Sequence, residues 1–220
     1  MGTVGLRADA ERNRRQLVDT ARVVFAERGL EAPLDVIARR AGVGNATLYR
    51  RFPNRCELVA AVFVETLHEV VMATERALQV ADPWDAFTGH MMFLCGRQAE
   101  NRAFADLLTA SVAEMPEVER LRARAYAGLM KLIDRAKASG ELRADFQHED
   151  VVLVLMANAG LLERTARTAA AAWQRNLSFM LDGLRAPSAT RAAPPPGRDG
   201  VMRAMRAIAE RSGLADTSSR

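Results

Sequence analysis

Apolar residues recur along this chain at the three-to-four-residue spacing of amphipathic helices, and strand-like alternation is scarce. Leu17, Ala21, Val24 and Phe25 share one face of a helix predicted from about Ala10 to Arg28, with Gly29 as its C-cap. Pro33 opens a shorter second helix with Val36, Ile37 and Ala41 inside, and Gly42 ends it in a sharp turn. Gly44 or Asn45 caps a third helix carrying Ala46 to Phe52. Pro53 stops that helix, and Asn54 caps a long one from about Arg55 to Val80. Its stripe is Leu58, Val62, Leu67, Val70 and Val71.

Asp82-Pro83 reads as the cap and first turn of a helix from about Trp84 to Glu100. A short helix is expected from Ala103 to Ser111, and Pro116 starts another that ends near Ser139-Gly140. Two more are predicted, from about His148 to Thr165 and from Ala169 to Leu184. The run Val151 to Met156 is apolar nearly all round, the pattern of a helix covered on both sides. One side suits the chain's own core, the other a second subunit. After Pro187 the Pro-Ala-Arg composition predicts a linker, then a short helix with Val201, Met205 and Ile208 on one face. The expected fold class is all-α with about nine helices. Three belong to an N-terminal domain over residues 1–56 and six to a body over 57–185; residues 186–220 form a tail.

Composition agrees with that class. Hydrophobic residues make up 49% of 220, enough for a core, and aromatics only 5%, so Ala, Leu, Val and Met must fill it. The net charge of +4 is unevenly spread. Through Arg55 there are eleven arginines and six acids; from Cys56 to Arg185, fourteen bases and eighteen acids; beyond, six arginines and three acids. A basic front on an acidic body is the electrostatic footprint of a nucleic-acid contact. No apolar run is long enough to cross a bilayer, and Met1 to Arg7 lacks a signal-peptide stretch, so a cytoplasmic protein without membrane contact is expected. Cys56 and Cys95 fit a reducing compartment.

Leu34 to Phe52 is the most informative segment. Two short helices joined by a glycine turn let the second lie in the DNA major groove while the first braces it. The residues here resemble the TetR family of bacterial transcriptional repressors. The resemblance rests on Ala21, Phe25, Gly29, Ile37-Ala38, Ala41-Gly42-Val43, Thr47-Leu48-Tyr49-Arg50-Arg51-Phe52 and Glu57-Leu58. It implies three helices for DNA binding, six for ligand binding and dimerisation, a homodimer on a palindromic double-stranded operator, and a small-molecule effector.

On that resemblance Asn45, Ala46, Thr47, Tyr49 and Arg50 face the duplex while Leu48 and Phe52 anchor the helix. Asn45 suits adenine, Ala46 a thymine methyl, and Arg50 a guanine edge or a phosphate. The Thr47 and Tyr49 hydroxyls match family phosphate contacts, and Arg55 stands where the family usually has a phosphate-gripping Lys. Two departures remove family contacts: Pro33-Leu34 replaces a Thr or Ser, and Pro53 a basic residue. Arg39 and Arg40, with Arg7, Arg12 and Arg14, are the expected compensation.

For the body, the expected lining of an apolar effector pocket is Phe87, Met91, Cys95, Phe104, Leu108, Tyr126, Met130 and Met156, with His90 and Asn158 as polar anchors. The expected dimer face holds Leu153, Trp173, Leu177, Met180 and Leu181. An enzyme is not expected: His68, His90 and His148 are far apart, and the chain has no metal-spaced pair, phosphate loop or nucleophile elbow. No cofactor is expected. The competing expectation is a helix-turn-helix regulator controlled by a protein partner or by cysteine oxidation.

Overall fold

A computed structural model describes the backbone of residues 2–101, 104, 116–165, 168–188, 190 and 192–211, with side chains from residue 11 onward apart from 188, 198 and 209–211. Nine α-helices are found among the described residues. Helix α1 spans Gly2–Arg28, earlier in start than the apolar pattern indicated, because no proline interrupts residues 2–10. Gly29 takes φ 79° and its N–H donates to the Phe25 carbonyl at 2.8 Å, an αL cap. Helix α2, Leu34–Arg40, buries Leu34, Ile37 and Ala38. It ends in a Schellman motif: Gly42 takes φ 68°, the Gly42 N–H donates to Arg39 O (3.1 Å) and the Val43 N–H to Ala38 O (3.0 Å). Helix α3, Asn45–Arg51, follows after the four residues 41–44; its N-cap is Gly44 and has no side-chain bond.

Asn54 caps α4, Arg55–Leu78, by accepting from the Glu57 N–H at 2.9 Å. Asp82 does the same for α5, Pro83–Glu100, accepting from Asp85 N–H at 2.8 Å. The remaining helices are α6 (Pro116–Ala138), α7 (His148–Thr165), α8 (Ala172–Leu184) and α9 (Arg198–Arg211). Helix α8 starts three residues later than expected, because a turn donating from Ala172 N–H to Ala169 O occupies the alanine run. The short helix expected from Ala103 to Ser111 lies outside the described residues except at Phe104, which is fully buried.

Two apolar clusters organise the packing. The first joins α1, α2 and α3 to Leu58, Val62, Phe63, Leu67 and Val71 of α4 and to Val118 and Leu121 of α6. It therefore runs past the domain boundary expected at residue 56. The second holds Val70, Trp84, Phe87, Met91, Leu94, Ile133, Phe146, Val151, Leu155 and Leu177 among others. Helices α4 and α6 form the most extensive pairing. Arg135 of α6 satisfies the C-terminal end of α4 by donating to Leu78 O (2.9 Å) and Val80 O (2.8 Å). The tail helix α9 returns to the body: Val201 is buried, and Ile208 packs on the first cluster.

Gly128 marks a close approach of α6 to α4. A Cβ there would sit 2.6 Å from Thr74 Cγ2. Gly128→Ala is expected to destabilise the fold by about 1–3 kcal/mol through overpacking. Thr74→Ser removes the obstructing methyl, so the double variant recovers most of the loss. Denaturant titration of the four proteins checks the cycle; failure of Thr74→Ser to rescue assigns the cost elsewhere.

Candidate DNA-binding head and effector cavity

The third helix is anchored from inside. Leu48 is fully buried, Phe52 is 2% exposed, and the Arg14 guanidinium lies 5.5 Å from the Phe52 ring centroid. Opposite them Asn45, Ala46 and Arg50 are exposed, Tyr49 is 52% exposed, and Thr47 is half-buried. These five expected DNA-facing residues share the free side of one short helix held in a fixed pose by the Schellman turn.

The cations divide by what already holds them. Arg39 and Arg50 make no ion pair among the described residues and stand free for an anion. Arg40 is committed to Glu27 through two bonds of 2.6 and 3.0 Å, which raise its pKa and lower that of Glu27. Arg55 corrects its expected role more strongly. Its guanidinium donates to Leu30 O (2.5 Å) and Ala32 O (2.8 Å), so it ties α4 to the loop before α2. A phosphate would have to compete with both carbonyls. The side chain of Arg7 lies outside the described residues.

In the body, a cavity of about 570 Å³ opens between α4, α5, α6 and α7, with α9 completing its wall. Leu67, Val70, Leu94, Leu129, Val151 and Leu155 are apolar lining; Val201, Met202 and Met205 come from the tail helix. His90, Glu119, Arg122, Tyr126, His148 and Glu149 supply the polar groups. The Tyr126 and His148 rings meet edge to face with centroids 4.6 Å apart. Arg122 lies 3.8 Å from Glu119, and burial lowers its pKa.

The expected pocket list is corrected by this geometry. Of the expected residues that are described, only His90 and Tyr126 reach the cavity. Phe87, Met91, Cys95 and Phe104 pack in the second cluster, with Met130 partly buried against it. Asn158 is buried but spans α7 to α5, its Nδ2 donating to Cys95 O (3.2 Å) and Gln98 Oε1 (2.8 Å). Met156 is half-buried outside the cavity lining, and Leu108 lies outside the described residues. Helical periodicity separates inside from outside, but a buried face that meets packed atoms and one that meets a void read alike. The Cys95 thiol, fully buried, is pushed up to about 12 by desolvation, which opposes the thiolate needed for oxidation.

The expected dimer residues divide too. Leu153 is 40% exposed, and Trp173 and Met180 are half-buried on the second cluster. Leu177 and Leu181 are corrected: they are 1% and 7% exposed because they face the chain's own core. Phe179, absent from the expected list, is 60% exposed under the Arg175 guanidinium at 4.8 Å. Its place beside charged and polar neighbours hid it from the apolar pattern.

One polar hub joins head to body. Glu69 of α4 accepts from Arg22 of α1 (3.4 Å) and from Arg97 of α5 (2.7 Å), and Arg97 also bonds Glu100 (2.7 Å). No group of three metal-ligating side chains, and no helix long and apolar enough to cross a membrane, occurs among the described residues.

Comparison with known proteins gives the same picture. Residues 17–62 match bacterial regulatory proteins of the tetR family, and residues 82–186 match the C-terminal domain of SbtR-like transcriptional regulators. A solved TetR transcriptional regulator from Streptomyces coelicolor is 33% identical, with a TM-score of 0.54 over 78% of this chain and 98% of that one. The chain belongs to the TetR family. A TetR regulator from Mycobacterium vanbaalenii is 30% identical, with a TM-score of 0.50 over 82% of this chain and 99% of its own. The HTH-type transcriptional regulator SrpR of Pseudomonas putida is 29% identical over 102 residues, which are 46% of this chain and 47% of SrpR. This TetR-family chain thus spans about half the length of that curated relative. The repressor KstR of Mycobacterium tuberculosis is 26% identical over 158 residues, 65% of this chain and 67% of KstR. The TetR-family protein is a DNA-binding transcriptional regulator and not an enzyme. The tail helix α9 lies beyond both matched segments.

Burial makes His90 a pH-dependent liability. Desolvation lowers its pKa from the ordinary 6.5 to about 4, so the native state refuses a proton that the unfolded chain accepts. Stability is full above pH 6.5 and falls as pH drops toward 4. Urea unfolding at pH 5 is expected to show about 2 kcal/mol lost relative to neutral pH that His90→Leu does not lose. Equal losses in both proteins would remove the assignment.

Proposed function

We propose that this TetR-family regulator is a repressor. As a homodimer in the cytoplasm it holds a palindromic operator and lets go when a largely apolar small molecule enters the α4–α7 cavity. The observation that carries this reading is the single helix α4 serving both ends. Leu58 to Val71 complete the core of the head, while Leu67 and Val70 of the same helix line the cavity. A ligand that presses on α4 must tilt the head or strain the first cluster. Glu69, held by Arg22 and Arg97, gives the coupling a second route.

At the operator, Asn45, Ala46 and Arg50 read base edges from α3 while Thr47, Tyr49, Arg39 and the free edge of Arg40 hold phosphates. Arg55 acts by fixing the head to α4. The second copy covers the exposed face around Leu153 and Phe179, flanked by Trp173, Met156 and Met180. Symmetry then sets the two recognition helices about one DNA turn apart, roughly 34–36 Å. Repression requires that spacing, and the effector favours a conformer that lacks it. The tail helix must shift for the effector to enter, since Val201, Met202 and Met205 form part of the wall.

Selection of genomic fragments by the purified protein is expected to return an inverted repeat. Binding with no preferred inverted repeat would reject the operator reading. Tyr49→Ala is expected to weaken binding about tenfold on every duplex alike, as loss of a phosphate anchor does; unchanged gel-shift affinity removes Tyr49 from the contact. Glu69→Gln is expected to cost less than about 1 kcal/mol of stability, because its partners are partly solvated. It should nevertheless reduce the fold loss of operator affinity at saturating effector. An unchanged fold loss places the coupling in the apolar contacts alone.

A further inference from the structure

His90, a residue of the cavity wall, carries a buried ring nitrogen with no hydrogen-bond partner. Thr74, 2% exposed, lies in α4 and its hydroxyl donates to Val70 O at 2.8 Å. A hydroxyl has one hydrogen, so its oxygen can meet His90 Nε2, 3.4 Å away, only as an acceptor. With the Thr74 hydrogen engaged by Val70 O, this contact assigns the imidazole proton to Nε2. Burial holds the ring neutral, its pKa lowered to about 4, so no second proton occupies Nδ1 at neutral pH. Nδ1 is buried and has no hydrogen-bond partner. His90 itself is 3% exposed and belongs to the cavity wall. Leu67, Val70, Leu94 and Leu129 of the same lining have no side-chain donors, and Phe93 stacks on the ring with centroids 6.1 Å apart.

We propose that this cavity selects a ligand with an apolar body and a neutral hydroxyl, phenolic or alcoholic, that donates to His90 Nδ1. The inference rests on reading the cavity as the effector site and adds the chemistry that the site recognises. A carboxylate fails at this position, because two lone-pair bearers would face each other with no proton between them. The mouth does not favour anions either: Glu119 and Glu149 outnumber Arg122, which already lies beside Glu119. A pure hydrocarbon fills the space but leaves Nδ1 unsatisfied, so the hydroxyl is the discriminating group.

Three matched probes test this on the full chain: para-phenylphenol, its methyl ether, and the corresponding biphenyl carboxylate. Calorimetric titration is expected to show the phenol binding about tenfold tighter than the ether, with the carboxylate weakest. His90→Leu should bring phenol and ether to within about twofold of each other, with the ether still bound. Equal affinities in the wild type, a preference that survives His90→Leu, or tightest binding by the carboxylate overturns the hydroxyl inference and leaves the effector pocket standing. No saturable binding by any probe removes the pocket reading and the inference with it. A ligand-free measurement guards against a variant that fails to fold. Nitrogen NMR of the imidazoles in the wild-type apo protein is expected to show His90 protonated on Nε2 alone; a proton on Nδ1 overturns the proposal.

Discussion

Helix α4 has to satisfy two hydrophobic cores with one continuous backbone. Its first four turns close the head, and Val70 enters the body's cluster one residue before Val71 completes the head's. A rigid α-helix cannot rotate at one end while staying still at the other without breaking backbone hydrogen bonds. Any repacking in the body is therefore felt in the head. The close approach of Gly128 to Thr74 sharpens this constraint, because α6 is locked against α4 beside the His90 wall of the cavity. Arg135, wrapped over the last carbonyls of α4, holds the far end.

Charge in the head serves two purposes that composition alone merges. Part of the basic excess is structural: Arg55 on two loop carbonyls, Arg40 on Glu27, Arg14 over Phe52, Arg22 on Glu69. Arg39 and Arg50 keep their charge outward, near the exposed Tyr49. Structural arginines fix the pose of α3, and the free ones give the surface its positive field. A precise pose matters more than total charge when base edges must be met within hydrogen-bond distance.

The body keeps its polar groups few and mostly paired. Asn158 and Gln98 staple α7 to α5 through Cys95 O and Leu155 O. His90 Nδ1, Arg97 Nε and Asn158 Oδ1 are the buried body atoms without a partner among the described residues, and of these only His90 belongs to the cavity lining. That lining comes from four helices of the body and from the tail.

The helices were legible from the sequence because each has a local cause: Gly29 and Gly42 at positive φ, Asn54 and Asp82 accepting from the third residue onward, and Pro83 and Pro116 at helix starts. The inward Leu48 and Phe52 and the outward Tyr49 were legible for the same reason, as the apolar pattern of a two-turn helix admits one packing. What only the tertiary structure decided depends on neighbours far along the chain. Arg55 meets carbonyls 23 and 25 residues away, and Glu69 meets Arg22 and Arg97. Whether a buried face meets atoms or a void, as for Phe87 against His90, follows from how helices cross. The tail's amphipathic helix was visible by itself, but its place in the cavity wall required the body it folds onto.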